Sequence, residues 1–308
     1  MSILVTGASG FIGAHLSKVF PHVIESSRKP HDKRILIEDL NDSVDWKTRL
    51  NGIDQIIHLA NLAHGQYSKS EYERVNEKGS MHLAEEAAKA GVKRFVFLSS
   101  VNVHGDFTHS GNAFAPNSKY NPSSQAAISK VKLEKYLFDL GRRSNMQVVI
   151  VRSTLVYGLN APGNFGLLVK LIRNVPFLPF GLINNKRNFI SIYNLVDLLF
   201  TCTVHPKASG HTFFASDLET VSIRSFTSAV AKGLGKKIIQ VPIPGFVIKF
   251  AGKLTGKSMM VDHLLNDLQV NSSNLGSVLD WKPPYTMEES MAFLCEINNR
   301  EKNDDTHS

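Results

Sequence analysis

Three glycines stand at a three-residue spacing near the start of the chain, in Thr6-Gly7-Ala8-Ser9-Gly10-Phe11-Ile12-Gly13. A short β-branched run precedes them and an apolar-periodic helix follows. In that context Gly7 permits a tight turn, Gly10 lets backbone approach a pyrophosphate, and Gly13 lets helix pack closely on strand. Amides at the helix start, with Ser9, Phe11 and Ile12 in the same cradle, face the anion. The chemistry implied is dinucleotide binding. An acidic residue ending the second strand would hold the adenosine ribose, whereas Arg there accommodates a 2′-phosphate. This chain has Ser27-Arg28 at that place, with Glu25 two residues early. A hydroxyl followed by a guanidinium predicts NADP, with NAD as the alternative. Asp39 and Leu40, after the third strand, are placed to meet the adenine.

The elements that must position this turn are legible around it. Short apolar runs at 3–5, 24, 35–37, 55–59, 94–98 and 146–151 alternate with stretches long enough for helices. That alternation predicts an α/β fold with a Rossmann-type doubly wound parallel sheet. Residues 80–90 read as a helix capped by Gly91. Residues 123–140 read as a second one, opened after Pro122 and stopped at Gly141. Beyond about residue 155 the texture changes to loops and short elements punctuated by Gly158, Pro162, Gly163, Pro176, Pro179 and Gly181. The expected division is a nucleotide-binding domain over 1–155, to which later segments return, a smaller lobe over 156–300, and a frayed polar tail over 301–308.

Composition narrows the class. The 308 residues are 43% hydrophobic and 20% charged, which suits a folded core and excludes disorder for the bulk of the chain. The net charge of +8 suits an anionic ligand, but the basic residues are scattered, so no nucleic acid is expected as a partner. Two cysteines, Cys202 and Cys295, make neither a disulfide framework nor a metal-ligand spacing, and no HExxH occurs, so no metal is expected. The longest apolar stretch, 195–204, is too short to span a bilayer and is interrupted by Asp197. Residues 2–6 already read as a strand rather than a leader, so a reduced, cytoplasmic setting is expected.

Further motifs occur in a recognisable order: His58-Leu59-Ala60, Asn76-x-x-Gly79, Ser99-Ser100-Val101-Asn102-Val103-His104-Gly105, Arg152-x-x-x-x-Tyr157-Gly158, Asn164-Phe165, Arg187-Asn188-Phe189-Ile190 and Leu279-Asp280-Trp281-Lys282-Pro283. Together with the glycine turn they resemble the extended short-chain dehydrogenases/reductases, in particular the NAD(P)-dependent nucleotide-sugar epimerases, dehydratases and 4-keto reductases. The resemblance covers about residues 2–295. It implies hydride transfer between a nicotinamide and a sugar carbon, usually C4, in a Rossmann domain joined to a lobe that binds a nucleotide diphosphate-sugar. It places Leu59, Ala60 and Asn76 beside the cofactor and Ser100 and Asn102 beside the reacting sugar. Lys130 matches the lysine that holds the nicotinamide ribose and lowers the pKa of a catalytic tyrosine. Asn164 and Phe165 match a pair that closes over the sugar-nucleotide, and Arg187 matches a diphosphate contact. His263 stands where the family often has a second arginine. The resemblance also implies a homodimer, through the helices at 80–90 and 123–140.

One departure matters. The family tyrosine lies four residues before the lysine, one turn away on the same helix face. That position is Ala126. Without an ionisable group the proton relay is broken, and a general acid or base contributes about 10²–10⁴ in rate. Three readings follow: an inactivated Tyr-to-Ala form of an otherwise intact site, a binding-only member, or proton supply by another group. Tyr120 and Tyr136 do not have the spacing of direct replacements. The expected function is an NADPH-dependent 4-keto-sugar reductase of surface-polysaccharide sugar synthesis, impaired by Ala126. The alternatives are a UDP-hexose or UDP-N-acetylhexosamine 4-epimerase and, from another class, a non-catalytic NADP-binding sensor or scaffold. Residues 242–257 mix apolar residues with three lysines. They read as a packed helix, with a cover over the sugar site and weak contact to a membrane surface as the alternatives.

Overall fold

The computed structural model describes residues 1–27, 34–37, 39–63, 65–109 and 111–295. Strand β1 (Ile3–Thr6) enters the glycine turn, and α1 (Phe11–Val19) leaves it. Strands β2 (Ile24–Ser27), β3 (Arg34–Leu36) and β4 (Gln55–His58) follow. A helix then runs as α2 (Lys69–Tyr72), a π-helical stretch (Glu73–Gly79) and α3 (Ser80–Lys89). Next come β5 (Arg94–Ser100), α4 (Gln125–Arg143) and β6 (Gln147–Ser153). The smaller lobe begins with β7 (Leu155–Tyr157), α5 (Gly163–Asn174), β8 (Phe177–Leu178) and β9 (Arg187–Ser191). The chain returns to the main sheet with α6 (Ile192–Val204) and β10 (Thr212–Ala215). It then adds β11 (Thr220–Val221), α7 (Ile223–Gly233), β12 (Ile239–Gln240), α8 (Gly245–Leu254), α9 (Ser258–Leu265), α10 (Ser273–Leu279) and α11 (Met287–Ala292).

The main sheet has the order β3-β2-β1-β4-β5-β6-β10 and its pairings are parallel. The reversal lies between β1 and β4, so the crevice at the strands' C-terminal ends opens there, beside the glycine turn. Strands β1, β4, β5 and β6 are buried on both faces, which explains their unbroken apolar runs. One face packs under Leu16 of α1, Leu195, Leu198, Leu199 and Cys202 of α6, and Trp281. The other packs under Leu83 and Ala87 of α3 and Leu133, Leu137 and Leu140 of α4. Asp197, the polar interruption in the greasy stretch, accepts the Trp281 indole N–H at 2.6 Å.

Two helices differ from the expectation. Helix α4 does not stop at Gly141 but continues to Arg143. Gly141 sits where a Cβ would lie 3.2 Å from Val148 Cγ2, so it allows helix to approach strand rather than ending the helix. Helix α8 is packed along one narrow line: only Gly252 of its ten residues is buried, and Ile248 packs half-buried against the core. Its aromatic residues face solvent.

Candidate active site

The glycine turn is built by close approach. Gly7 has a φ of 71°, and a Cβ on it would lie 2.8 Å from the Ala60 amide nitrogen. A Cβ on Gly13 would lie 2.4 Å from the Gly7 carbonyl oxygen. Gly10 closes the turn by donating to Gly7 O at 3.0 Å and stands as the cap of α1 without a side-chain hydrogen bond. No acidic residue occupies the first turn of α1. The helix therefore presents uncapped amides and a positive dipole end to the crevice, with Ser9 exposed beside them and Phe11 and Ile12 half-buried. These features fit a dinucleotide pyrophosphate.

Around that turn the residues sort into those that face the crevice and those that hold it. His58 is fully buried, with Nδ1 2.7 Å from Thr6 Oγ1 and Nε2 2.9 Å from Ser80 Oγ. Burial pulls its pKa down to about 3, so it is a neutral strut joining β1, β4 and α3. Leu59 is buried and Ala60 half-buried; the Ala60 N–H reaches Thr6 Oγ1 at 3.3 Å. Asn76 is buried on the π-helical stretch. It accepts the Leu62 N–H at 2.7 Å and donates to Ser129 Oγ at 3.2 Å, and Ser129 in turn donates to the Ala126 carbonyl at 2.9 Å. Asn76 thus clamps the loop after β4 to the helix that carries position 126. Asp39 is paired with Arg74, and Leu40 is buried in the core beneath the sheet. Ser27 ends β2 opposite Leu36 in register. Arg28, on which the NADP expectation rests, lies outside the described residues.

Helix α4 starts at Ser124, whose Oγ accepts the Ala127 N–H at 3.2 Å. Lys130 is buried on its second turn, and its Nζ donates to Asn61 Oδ1 at 3.1 Å. Burial lowers the lysine to about 8, with Glu134 opposing that shift. Asn61 is a site residue that sequence reasoning missed, although it directly follows the His58-Leu59-Ala60 strand end. Ser100 ends β5 and donates to Asn102 Oδ1 at 2.9 Å. Asn102 Nδ2 donates to Asp106 Oδ1 at 2.8 Å. Asp106 also accepts from Ser123 and lies 3.8 Å from His263 Nε2. Asp106 was also missed. A polar run thus links Ser100 through Asn102 and Asp106 to His263 of α9. There a cavity of about 320 Å³ is lined by Asp106, Phe107, Met259, Asp262, His263 and Asn266.

Neither nearby phenol replaces the one missing at Ala126. Tyr120 donates to Glu134 Oε2 at 2.8 Å and accepts from Arg152 at 3.0 Å, inside a buried network. Burial pushes it up to about 12. Tyr136 donates to Glu85 at 2.6 Å at the helix surface. His104 accepts from Arg152 through Nε2 at 2.8 Å, so its Nδ1 donates to the Lys119 carbonyl at 3.0 Å, and burial keeps it neutral.

In the smaller lobe the candidates separate. Phe165 is core, packed near Tyr157 and Phe226, whereas Asn164 is exposed on the first turn of α5. Arg187 is buried in β9. Its Nη1 donates to the Asn266 carbonyl at 2.8 Å, and burial lowers the guanidinium to about 10. Asn266 lines the cavity beside His263, so Arg187 supports that wall from behind. Among the described residues, no group of three or more His, Cys, Asp or Glu side chains could hold a metal ion.

The profile of the NAD dependent epimerase/dehydratase family matches residues 3–214. The chain belongs to that family. It is therefore an NAD-dependent enzyme-family chain with the short-chain dehydrogenase/reductase fold. It is 39% identical to a UDP-glucose 4-epimerase of Vibrio cholerae, over 97% of each chain. It is 24% identical to the N-acetyl-alpha-D-glucosaminyl-diphospho-ditrans,octacis-undecaprenol 4-epimerase of Escherichia coli O157:H7, over 94% of this chain and 93% of that one. A short-chain dehydrogenase/reductase superfamily protein of Agrobacterium tumefaciens with bound NAD superposes over the full length of both chains, with a TM-score of 0.80 and 17% identity.

Proposed function

We propose that this member binds NAD and a UDP-sugar and serves 4-epimerisation of the sugar, in place of the NADPH-dependent keto reduction expected from Ser27-Arg28. The observation that carries this reading is the 39% identity to a UDP-glucose 4-epimerase across 97% of both chains. The glycine cradle and the uncapped start of α1 would hold the pyrophosphate, and Lys130 the nicotinamide ribose. The cofactor would supply a hydride acceptor for C4 of the sugar. Ser100 would hydrogen-bond the sugar oxygen at that carbon, exchanging its present bond to Asn102 for one to substrate. The proton on that oxygen must leave as the hydride leaves. The family's phenol for this step is absent at Ala126, so the only ionisable side chain left one helical turn away is Lys130. Its pKa of about 8 makes it a weak proton acceptor near neutral pH. This chain accordingly turns over slowly, and its epimerase chemistry is revealed by restoring the phenol.

The test is proton NMR of UDP-glucose and UDP-N-acetylglucosamine incubated with the protein and with its Ala126→Tyr variant. Conversion between the gluco and galacto epimers, with NAD retained on the protein, is the expected result. Stoichiometric NADPH oxidation on a 4-keto nucleotide-sugar without epimerisation would return the assignment to a reductase.

A further inference from the structure

Helix α8 carries Phe246, Phe250 and Leu254 one turn apart on one stripe, with Val247 and Ala251 beside them. Phe246, Phe250 and Leu254 are 75%, 63% and 72% exposed. The helix is held by a close approach to α9, where a Cβ on Gly252 would lie 2.7 Å from Val261 Cγ2. Next to it an apolar cavity of about 470 Å³ is lined in part by Leu171, Phe177, Val241, Ile248, Met260 and Leu264. Phe177 pairs in register with Ile239, and both are exposed, so the apolar surface continues from α8 across the cavity mouth to β8 and β12. A patch this extended on one lobe marks an interaction surface. Its rim is basic. Residues 236–257 contain Lys236, Lys237, Lys249, Lys253 and Lys257 and no acidic residue. Lys249 is partly committed to Asp262 at 3.5 Å.

We propose that this face docks the protein onto an anionic phospholipid bilayer, with the α8 stripe entering the headgroup–acyl boundary and the lysines meeting lipid phosphates. The charge decides the occupant: an apolar stripe whose own helix and following turn carry Lys249, Lys253 and Lys257 and no acidic residue complements a negatively charged surface. The association is peripheral, because no helix among the described residues is long and apolar enough to cross a membrane. Docking orients the site as well. Val261, Leu264 and Leu265 of α9 face the apolar cavity, while Met259, Asp262 and His263 line the polar cavity beside Asp106. The two cavities flank one helix, so the polar one comes to lie beside the lipid headgroups. This inference stands on the surface alone and does not depend on the sugar assigned above.

The test is co-sedimentation of the full chain with vesicles of phosphatidylcholine alone or with 30% phosphatidylglycerol. Binding to the anionic vesicles, weakening as salt is raised, is expected. Phe246→Asp/Phe250→Asp should lower partitioning at least tenfold. Lys253→Glu/Lys257→Glu should lower it by about fivefold or more per lysine. Unchanged melting temperature and NAD binding would show that both variants remain folded, as exposed positions permit. No preference for anionic vesicles in the parent protein overturns the proposal. So does a parent dimer whose mass halves in the aspartate variant, since a second copy of the chain would then be the occupant.

Discussion

The two halves of this molecule use their polar residues in opposite ways. At the C-terminal ends of β1, β4 and β5 the fold leaves donors open: the first amides of α1 are uncapped, and Ser100 is engaged only with its near neighbour Asn102. In the smaller lobe two of the residues that motif matching singles out, Arg187 and Phe165, are absorbed by the structure, while Asn164 is exposed and His263 lines the polar cavity. Arg187 is spent on the Asn266 carbonyl, and Phe165 is core. A motif that specifies backbone geometry transfers from sequence to site directly, because only glycine fits where a Cβ would strike the Gly7 carbonyl or the Ala60 amide. A motif that specifies a long side chain does not, because the side chain serves whichever partner the local packing supplies.

The largest expected effect concerns the half with open groups. Ala126→Tyr should raise epimerisation by about 10²–10⁴, measured as initial rates on a UDP-sugar. An unchanged rate would mean that the crevice lacks a competent proton path for reasons other than the missing phenol.

Acid should then separate the halves by sign. His58 titrates at about 3 when folded against an ordinary 6.5, so its contribution is complete above pH 6.5 and is lost as pH falls toward 3. That loss is on the order of 5 kcal/mol. Asp217, buried against Tyr157 and Asn194 in the smaller lobe, is pushed up to about 6. Its contribution is complete below about 4 and is lost as pH rises through 6, so it opposes the trend of His58. Denaturant titrations from pH 7 to pH 4 should show a net decline that flattens in His58→Gln and steepens in Asp217→Asn.

Gly13→Val should cost about 3 kcal/mol of stability through overpacking against Gly7 and Ala8. It should abolish cofactor binding, read by NAD titration. Arg187→Met should cost about 2 kcal/mol, the scale of a charge-assisted hydrogen bond. It should raise the KM for a UDP-sugar while leaving kcat nearly unchanged, because the wall behind His263 loosens far from the reacting carbon. A fall in kcat at constant KM would place Arg187 in the chemistry and erase the contrast between the halves.

What was legible in the sequence follows the same division. The apolar runs of β1, β4, β5 and β6 are visible because both faces of each strand are buried. The helix over 123–140 is visible through Pro122 just before it and its run free of glycine and proline. The two-residue strands β8, β11 and β12 carry no period to read, and they form only because neighbouring segments supply partners. Gly141 misled because a helix–strand contact and a helix end require the same small residue. Asn61 and Asp106 were missed because their importance lies in what they touch: Lys130 is 69 residues away from Asn61, and His263 is separated from Asp106 by about half of the chain. Residues 242–257 looked amphipathic in either setting, and only the solvent-facing arrangement of α8 decides between a packed helix and an exposed one.

The return of the chain to the sheet has a consequence for how the protein is made. Strand β6 has its outer edge covered only by β10, and the face over Val149 and Val151 is closed by α6 and later by Leu275, Leu279 and Trp281. A nascent chain that has reached residue 155 therefore holds the whole glycine turn but carries an open strand edge and an uncovered apolar face. Complete closure of this face waits until residues near 281 leave the ribosome. Slow translation of the last third would lengthen the time spent in this aggregation-prone state.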